Sequence, residues 1–115
     1  LDELPTTVPS FIHPLRNREV TPPEFTPEHL GVRRATLEDL KGGSVEENAG
    51  ILRSILDGHP GPKRDIAVVN AAPAIVVSGL ADGFVEAVDL AREAIDSGDA
   101  RAVLQRAIAF TKAHP

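Results

Sequence analysis

The 115-residue sequence contains no cysteine, methionine, tryptophan or tyrosine, and four phenylalanines are its whole aromatic content. Without thiols there is no disulfide framework, thiolate nucleophile or Cys-ligated zinc site, and a reducing cytoplasm is compatible with that composition. No basic cluster is longer than Arg33-Arg34, and 12 basic residues stand against 17 acidic for a net charge of -5. That balance argues against nucleic acid or an anionic membrane as a partner. The longest uncharged stretch, residues 66–81, spans 16 residues and includes Asn70, Pro73 and Ser78. It is short for a bilayer and reads as buried core. No glycine-rich phosphate loop, dinucleotide fingerprint or nucleophile elbow occurs. Leu1-Asp2-Glu3 has neither the basic nor the apolar region of a signal peptide, and with no methionine anywhere the chain is expected to be processed or cut from something longer.

What is present is 42% apolar residues, enough for one modest core in a single small domain. Six of the ten prolines fall within the first thirty residues, and each removes a backbone donor, so a long helix is excluded there. Two β-prone runs, 8–15 and 19–25, flank Arg16-Asn17-Arg18 and predict a hairpin confined by its prolines to the rim of a sheet. The extended region covers about 5–25 and a helical region about 26–113. Thr26-Pro27-Glu28 supplies a capping hydroxyl, a first-turn proline and an acid at the positive end of the helix dipole, with Gly31 as terminator. Thr36-Leu37-Glu38-Asp39 repeats the pattern ahead of Gly42-Gly43 and predicts a second short helical piece. Ser44-Val45-Glu46-Glu47 is a capping box, followed by Val45, Ala49, Leu52, Ile55 and Leu56 at helical spacing.

Asp65 is placed to cap a helix over 66–78 whose apolar residues go all the way round, as in a helix enclosed by other elements. Two buried strands fit the same residues, because Pro73 inside a helix forfeits a hydrogen bond and costs about 3 kcal/mol. The length of the run and the poor turn chemistry of Asn70-Ala71-Ala72 favour a kinked helix. Asp82 opens the next helix, with Phe84, Val88, Ala91 and Ile95 on one face until Gly98. Asp99 opens the last, with Val103, Leu104, Ala107 and Ile108 on one face. Glu93 and Asp96 are expected on solvated surfaces.

Few residues have the pattern of a chemical site. Asp2-Glu3 are adjacent oxygen donors that suit a hard cation such as Mg²⁺, but acidic pairs are common and on composition alone a hydrated chain end is the better reading. Gly42-Gly43-Ser44 reads as a C-cap followed by an N-cap sooner than as an anion nest, since Glu46 and Glu47 would repel a phosphate. His13, His29, His59 and His114 are dispersed and suggest neither a zinc site nor a nucleophile and base pair. Asn48 and Asn70, beside apolar helical faces, are expected to satisfy a backbone end or a neighbouring loop.

Taken in order, Asp2-Glu3-Leu4, the hairpin, Thr26-Pro27-Glu28-His29-Leu30-Gly31, Leu37-Glu38-Asp39-Leu40-Lys41-Gly42-Gly43, Glu47-Asn48-Ala49, Asp65 leading to Asn70-Ala71-Ala72, and Ala91-Arg92-Glu93-Ala94-Ile95-Asp96-Ser97-Gly98 resemble the carboxyl-terminal third of the anthranilate phosphoribosyltransferases. The resemblance covers the whole chain. It implies an α/β fold in which residues 1–115 are the carboxyl-terminal segment of the catalytic domain, an edge β-hairpin followed by several packed helices, incomplete as a fold on its own.

The activity implied is transfer of the phosphoribosyl group of phosphoribosyl pyrophosphate to anthranilate in tryptophan biosynthesis, in the cytoplasm, with Mg²⁺. The family's metal-binding acidic pair matches Asp2 and Glu3. No catalytic residue falls in this segment, and both substrates would be bound mainly by a missing amino-terminal part of a homodimeric enzyme, so the segment alone should be inactive. Pro5 and Val8 stand where the family more often has a hydroxyl residue and glycine, and Pro73 interrupts a run usually rich in alanine. Two alternatives are a stand-alone helical interaction module without catalysis and a fragment of a pyrimidine nucleoside phosphorylase. A fragment should expose an apolar face formed by Phe11, Ile12 and part of the 66–77 helix, which an evolved module would cover.

Overall fold

A computed structural model describes residues 3–13, 15–16, 18–20 and 24–114. The hairpin forms as two short antiparallel ladders. Strand β1 (Ser10–Phe11) pairs with β4 (Glu24–Phe25), and β2 (Leu15–Arg16) pairs with β3 (Glu19–Val20). The pairs Phe11 with Glu24 and Leu15 with Val20 belong to one register, so both ladders are parts of one hairpin. Arg18 closes its tip with φ 66, a left-handed conformation uncommon outside glycine. Among the described residues no third strand joins these pairs.

Local cap chemistry sets the next segment. Thr26 accepts the His29 amide at 3.3 Å, Pro27 begins a single 3₁₀ turn over Pro27–Leu30, and Gly31 ends it with φ 67. The expected helical piece after Thr36 is only a turn. The Leu40 and Lys41 amides bond three residues back, to the Leu37 and Glu38 carbonyls, both at 3.2 Å. The Gly43 and Ser44 amides then go forward to Asn48 and Glu47, so no helical ladder propagates.

Helix α1 (Val45–Leu56) starts at the capping box, where Glu47 Oε2 accepts the Ser44 amide at 2.7 Å and Ser44 Oγ accepts the Glu47 amide at 3.2 Å. Helix α2 (Pro62–Val77) begins earlier than the sequence suggested. Pro62 takes the first helical position after Gly61, so Asp65 is a first-turn residue and not the cap. Its amide already makes a helical bond to the Gly61 carbonyl at 3.0 Å. The two-strand alternative is excluded, and α2 continues through Pro73. Val68 and Val69 are both buried, and together they contribute about 3–6 kcal/mol, which offsets the about 3 kcal/mol that an interior proline costs.

Helix α3 (Phe84–Asp96) starts two residues after Asp82, whose amide donates to Glu86 Oε2 at 2.9 Å, and Gly98 (φ 87) turns the chain into α4 (Asp99–Ala113). The core lies mainly between α2 and α3. Val68, Val69 and Ala72 face Ala87, Val88 and Ala91, with Leu30 and Val32 closing one side. Phe25 of β4 meets Phe84 edge-on with ring centroids 4.9 Å apart. Arg64 reaches across to Asp96 at 2.7 Å, so Asp96 anchors a largely buried guanidinium instead of merely being solvated, while Glu93 is exposed as expected.

Two apolar faces differ from expectation. Helix α2 is not enclosed, since Ala67, Ala74 and Val77 share a face and Val77 is 88% exposed. The stripe on α4 has the expected spacing, yet none of its residues is buried, with Val103 53% and Ile108 44% exposed. Of the apolar face expected of a fragment, Phe11 is 75% exposed and Val77 88%, whereas Ile12 is half-buried.

Candidate active-site edge

The acidic pair opens the extended segment that runs onto the core. Asp2 lies outside the described residues. Glu3 is exposed, and among the described residues no side chain pairs with its carboxylate. Behind it the backbone is anchored twice. Asn70 Oδ1 accepts the Leu4 amide and Asn70 Nδ2 donates to the Leu4 carbonyl, both at 2.8 Å, and Nδ2 also donates to Ile66 of its own helix at 2.9 Å. Two residues on, the Thr6 carbonyl accepts the Ala35 amide at 3.0 Å. Leu4, Pro5, Phe25, Leu30 and Val69 meet around a space of only about 10 Å³, so this seam is closed by packing. An exposed carboxylate therefore stands on a backbone pinned to α2.

Oxygen-only donors suit Mg²⁺, which keeps several waters and is commonly shared with phosphate oxygens. The chemistry of the pair and the exposure of Glu3 fit a cation approached from the solvent side. Among the described residues no three His, Asp or Glu side chains gather into a metal-holding group.

The other candidates are structural. The Gly43 amide donates to Asn48 Oδ1 at 2.9 Å and Asn48 Nδ2 returns to the Gly43 carbonyl at 3.0 Å, leaving that amide engaged. A Cβ on Gly43 would lie 2.2 Å from Glu47 Oε2, so the loop is shaped around the capping box. His29, His59 and His114 are on exposed loops or helix ends, and His13 is exposed in the hairpin.

The shifted carboxylates are likewise local. Hydrogen bonding to the Thr36 amide lowers Asp39 below the ordinary carboxylate range, and bonding to the Ser44 amide lowers Glu47. Hydrogen bonding from Arg34 holds Glu28 at about 2. A cavity of about 440 Å³ between α1 and the start of α2 is lined by Asp39, Ile51, His59, Lys63 and Arg64, with Glu3 not among its walls.

Sequence reasoning placed Asn70 correctly as a partner for backbone and did not identify which backbone. Thr6 it missed altogether. That side chain is completely buried, with Oγ1 unpartnered among the described residues, and nothing in Pro5-Thr6-Thr7 signals it.

Residues 1–101 match the family described as glycosyl transferase family, a/b domain. Anthranilate phosphoribosyltransferase from Parvibaculum lavamentivorans is 46% identical over 96% of this chain and 33% of its own length. The corresponding protein from an Arthrobacter species is 44% identical over 97% of this chain and 34% of its own length. The crystal structure of anthranilate phosphoribosyltransferase from Thermus thermophilus superposes with a TM-score of 0.73 and 40% identity, covering 79% of this chain and 28% of that one. The chain thus spans about a third of the length of these relatives. With its family match running from the acidic pair into α4, the chain belongs to the glycosyl transferase family, a/b domain.

Proposed function

We propose that this chain is the carboxyl-terminal segment of an anthranilate phosphoribosyltransferase, acting in the cytoplasm in tryptophan biosynthesis and supplying Asp2 and Glu3 as Mg²⁺ ligands. The observation that carries the reading is the likeness to named anthranilate phosphoribosyltransferases along 96% of the chain. It favours this reading over a catalysis-free module or a pyrimidine nucleoside phosphorylase fragment.

The whole enzyme, a homodimer, would bind phosphoribosyl pyrophosphate and anthranilate mainly through its amino-terminal part, and the segment alone would be inactive. Breaking the bond from ribose C1 to pyrophosphate leaves negative charge on the departing group. A Mg²⁺ held by Asp2 and Glu3 would supply neutralisation of the charge that develops most in the transition state. Glu3 presents its carboxylate to solvent from an anchored backbone, which favours a ligand already in place before substrate arrives. The amine of anthranilate needs no covalent activation, so positioning and charge neutralisation remain the principal tasks.

The test replaces Asp2→Asn together with Glu3→Gln in the full-length enzyme. Turnover at limiting Mg²⁺ should fall by about tenfold or more, as even partners outside the coordination sphere are worth about 10–100-fold, with the melting temperature little changed. Unchanged activity across a magnesium titration overturns the assignment.

A further inference from the structure

Asn70 interrupts the face of α2 that carries Ala67, Ala74 and Val77, and it bonds the amino-terminal segment to that helix. An asparagine inside a helix is satisfied locally by one bond to the preceding turn, here the one to the Ile66 carbonyl. Its other two bonds serve Leu4 alone. The side-chain amide accepts the N–H and donates to the C=O of the same residue, each at 2.8 Å, as a neighbouring strand would. With both N–H protons and the oxygen engaged, the amide cannot turn over without losing all three bonds.

The Leu4 amide belongs to the peptide plane that contains the Cα of Glu3. Fixing that amide therefore fixes where the Glu3 side chain starts. Pro5 restricts Leu4 to extended backbone, and the bond between Thr6 and Ala35 holds the segment a second time. We propose that Asn70 is a positioning residue for Glu3, aiming its carboxylate at its cation through the peptide of Leu4. This inference rests on the reading of Asp2 and Glu3 as Mg²⁺ ligands.

The experiment uses the full-length enzyme and reads binding of Mn²⁺, in the presence of inorganic pyrophosphate, by the loss of free-ion electron paramagnetic resonance signal. Asn70→Ala should weaken binding by about 10–100-fold. Turnover should recover at saturating Mg²⁺, with the activation constant raised and kcat restored. Asn70→Gln keeps the amide for folding but displaces it by one methylene, and it should weaken binding in the same direction. Asn48→Ala removes an asparagine whose two side-chain bonds go to Gly43 and not to the Leu4 backbone, and should lower the melting temperature while leaving Mn²⁺ affinity alone.

If Asn70→Ala and Asn70→Gln bind Mn²⁺ within about twofold of the parent while Glu3→Gln does not, the positioning role is overturned and the metal reading stands. If Asn70→Ala does not fold, Asn70→Gln decides by the same criterion. If Glu3→Gln also leaves Mn²⁺ affinity unchanged, both readings fall.

Discussion

Helices α2 and α3 bury Val68, Val69, Ala72, Ala87, Val88 and Ala91 against each other, whereas the hairpin leaves Phe11, Leu15 and Val20 largely in solvent. Both regions carry apolar side chains. What separates them is the number of partners within this chain. The helix pair closes a dry interior through side-chain contacts at helical spacing. The hairpin is held by its own ladders and by Phe25 on Phe84, and the extended segment before it by Leu4 on Asn70 and Thr6 on Ala35. Stability is therefore concentrated in the helices, and the edge that bears Glu3 is attached to them more than built into them.

The strongest challenge to that contrast is Val88→Asp. An unpaired carboxylate in the α2–α3 interior should cost about 3 kcal/mol or more, read from the midpoint of urea unfolding. A loss below about 1 kcal/mol would mean that the core lies elsewhere.

A smaller effect concerns the Glu28 and Arg34 pair, at 3.1 Å beside the 3₁₀ turn that joins the two regions. Its folded carboxyl sits at about 2 against an ordinary 4.5, so between those values the unfolded chain binds more protons. The pair's contribution is thus fully present above about 4.5 and is lost as the pH falls toward 2. Solvent exposure keeps it modest. Glu28→Gln should flatten part of the acid limb of stability against pH, and identical limbs for the two proteins would detach the pair from folding.

The smallest effect is expected of Phe11→Ser. A side chain in solvent should change the unfolding free energy of the segment by less than about 0.5 kcal/mol. A loss above about 1.5 kcal/mol would erase the distinction between hairpin and helices.

Cap chemistry was readable from sequence because it is decided within four residues. Thr26 with Gly31, and Ser44 with Glu47, perform the roles their spacing assigned. The start of α2 was misplaced because Asp65 was read as its cap, whereas Pro62 takes the first helical position and Asp65 falls within the first turn. On α4, periodicity revealed a stripe but carried no information on whether another element covers it. The link that matters most for the candidate site joins Leu4 to Asn70 across 66 positions. No window of neighbouring residues contains that bond, and Asp2-Glu3 by themselves fitted a hydrated chain end better than a ligand pair. The resemblance to a family supplied the proposed chemical meaning, and the fold shows only that the backbone next to Glu3 is bonded to Asn70.

The hairpin's shared register has a consequence for how this segment can diverge. Three residues separate its ladders on each arm, 12–14 on one and 21–23 on the other. A single insertion in one arm would exchange inward and outward side chains beyond it. Length changes must therefore arise as matched pairs or at the tip around Arg18, where extra residues disturb neither ladder.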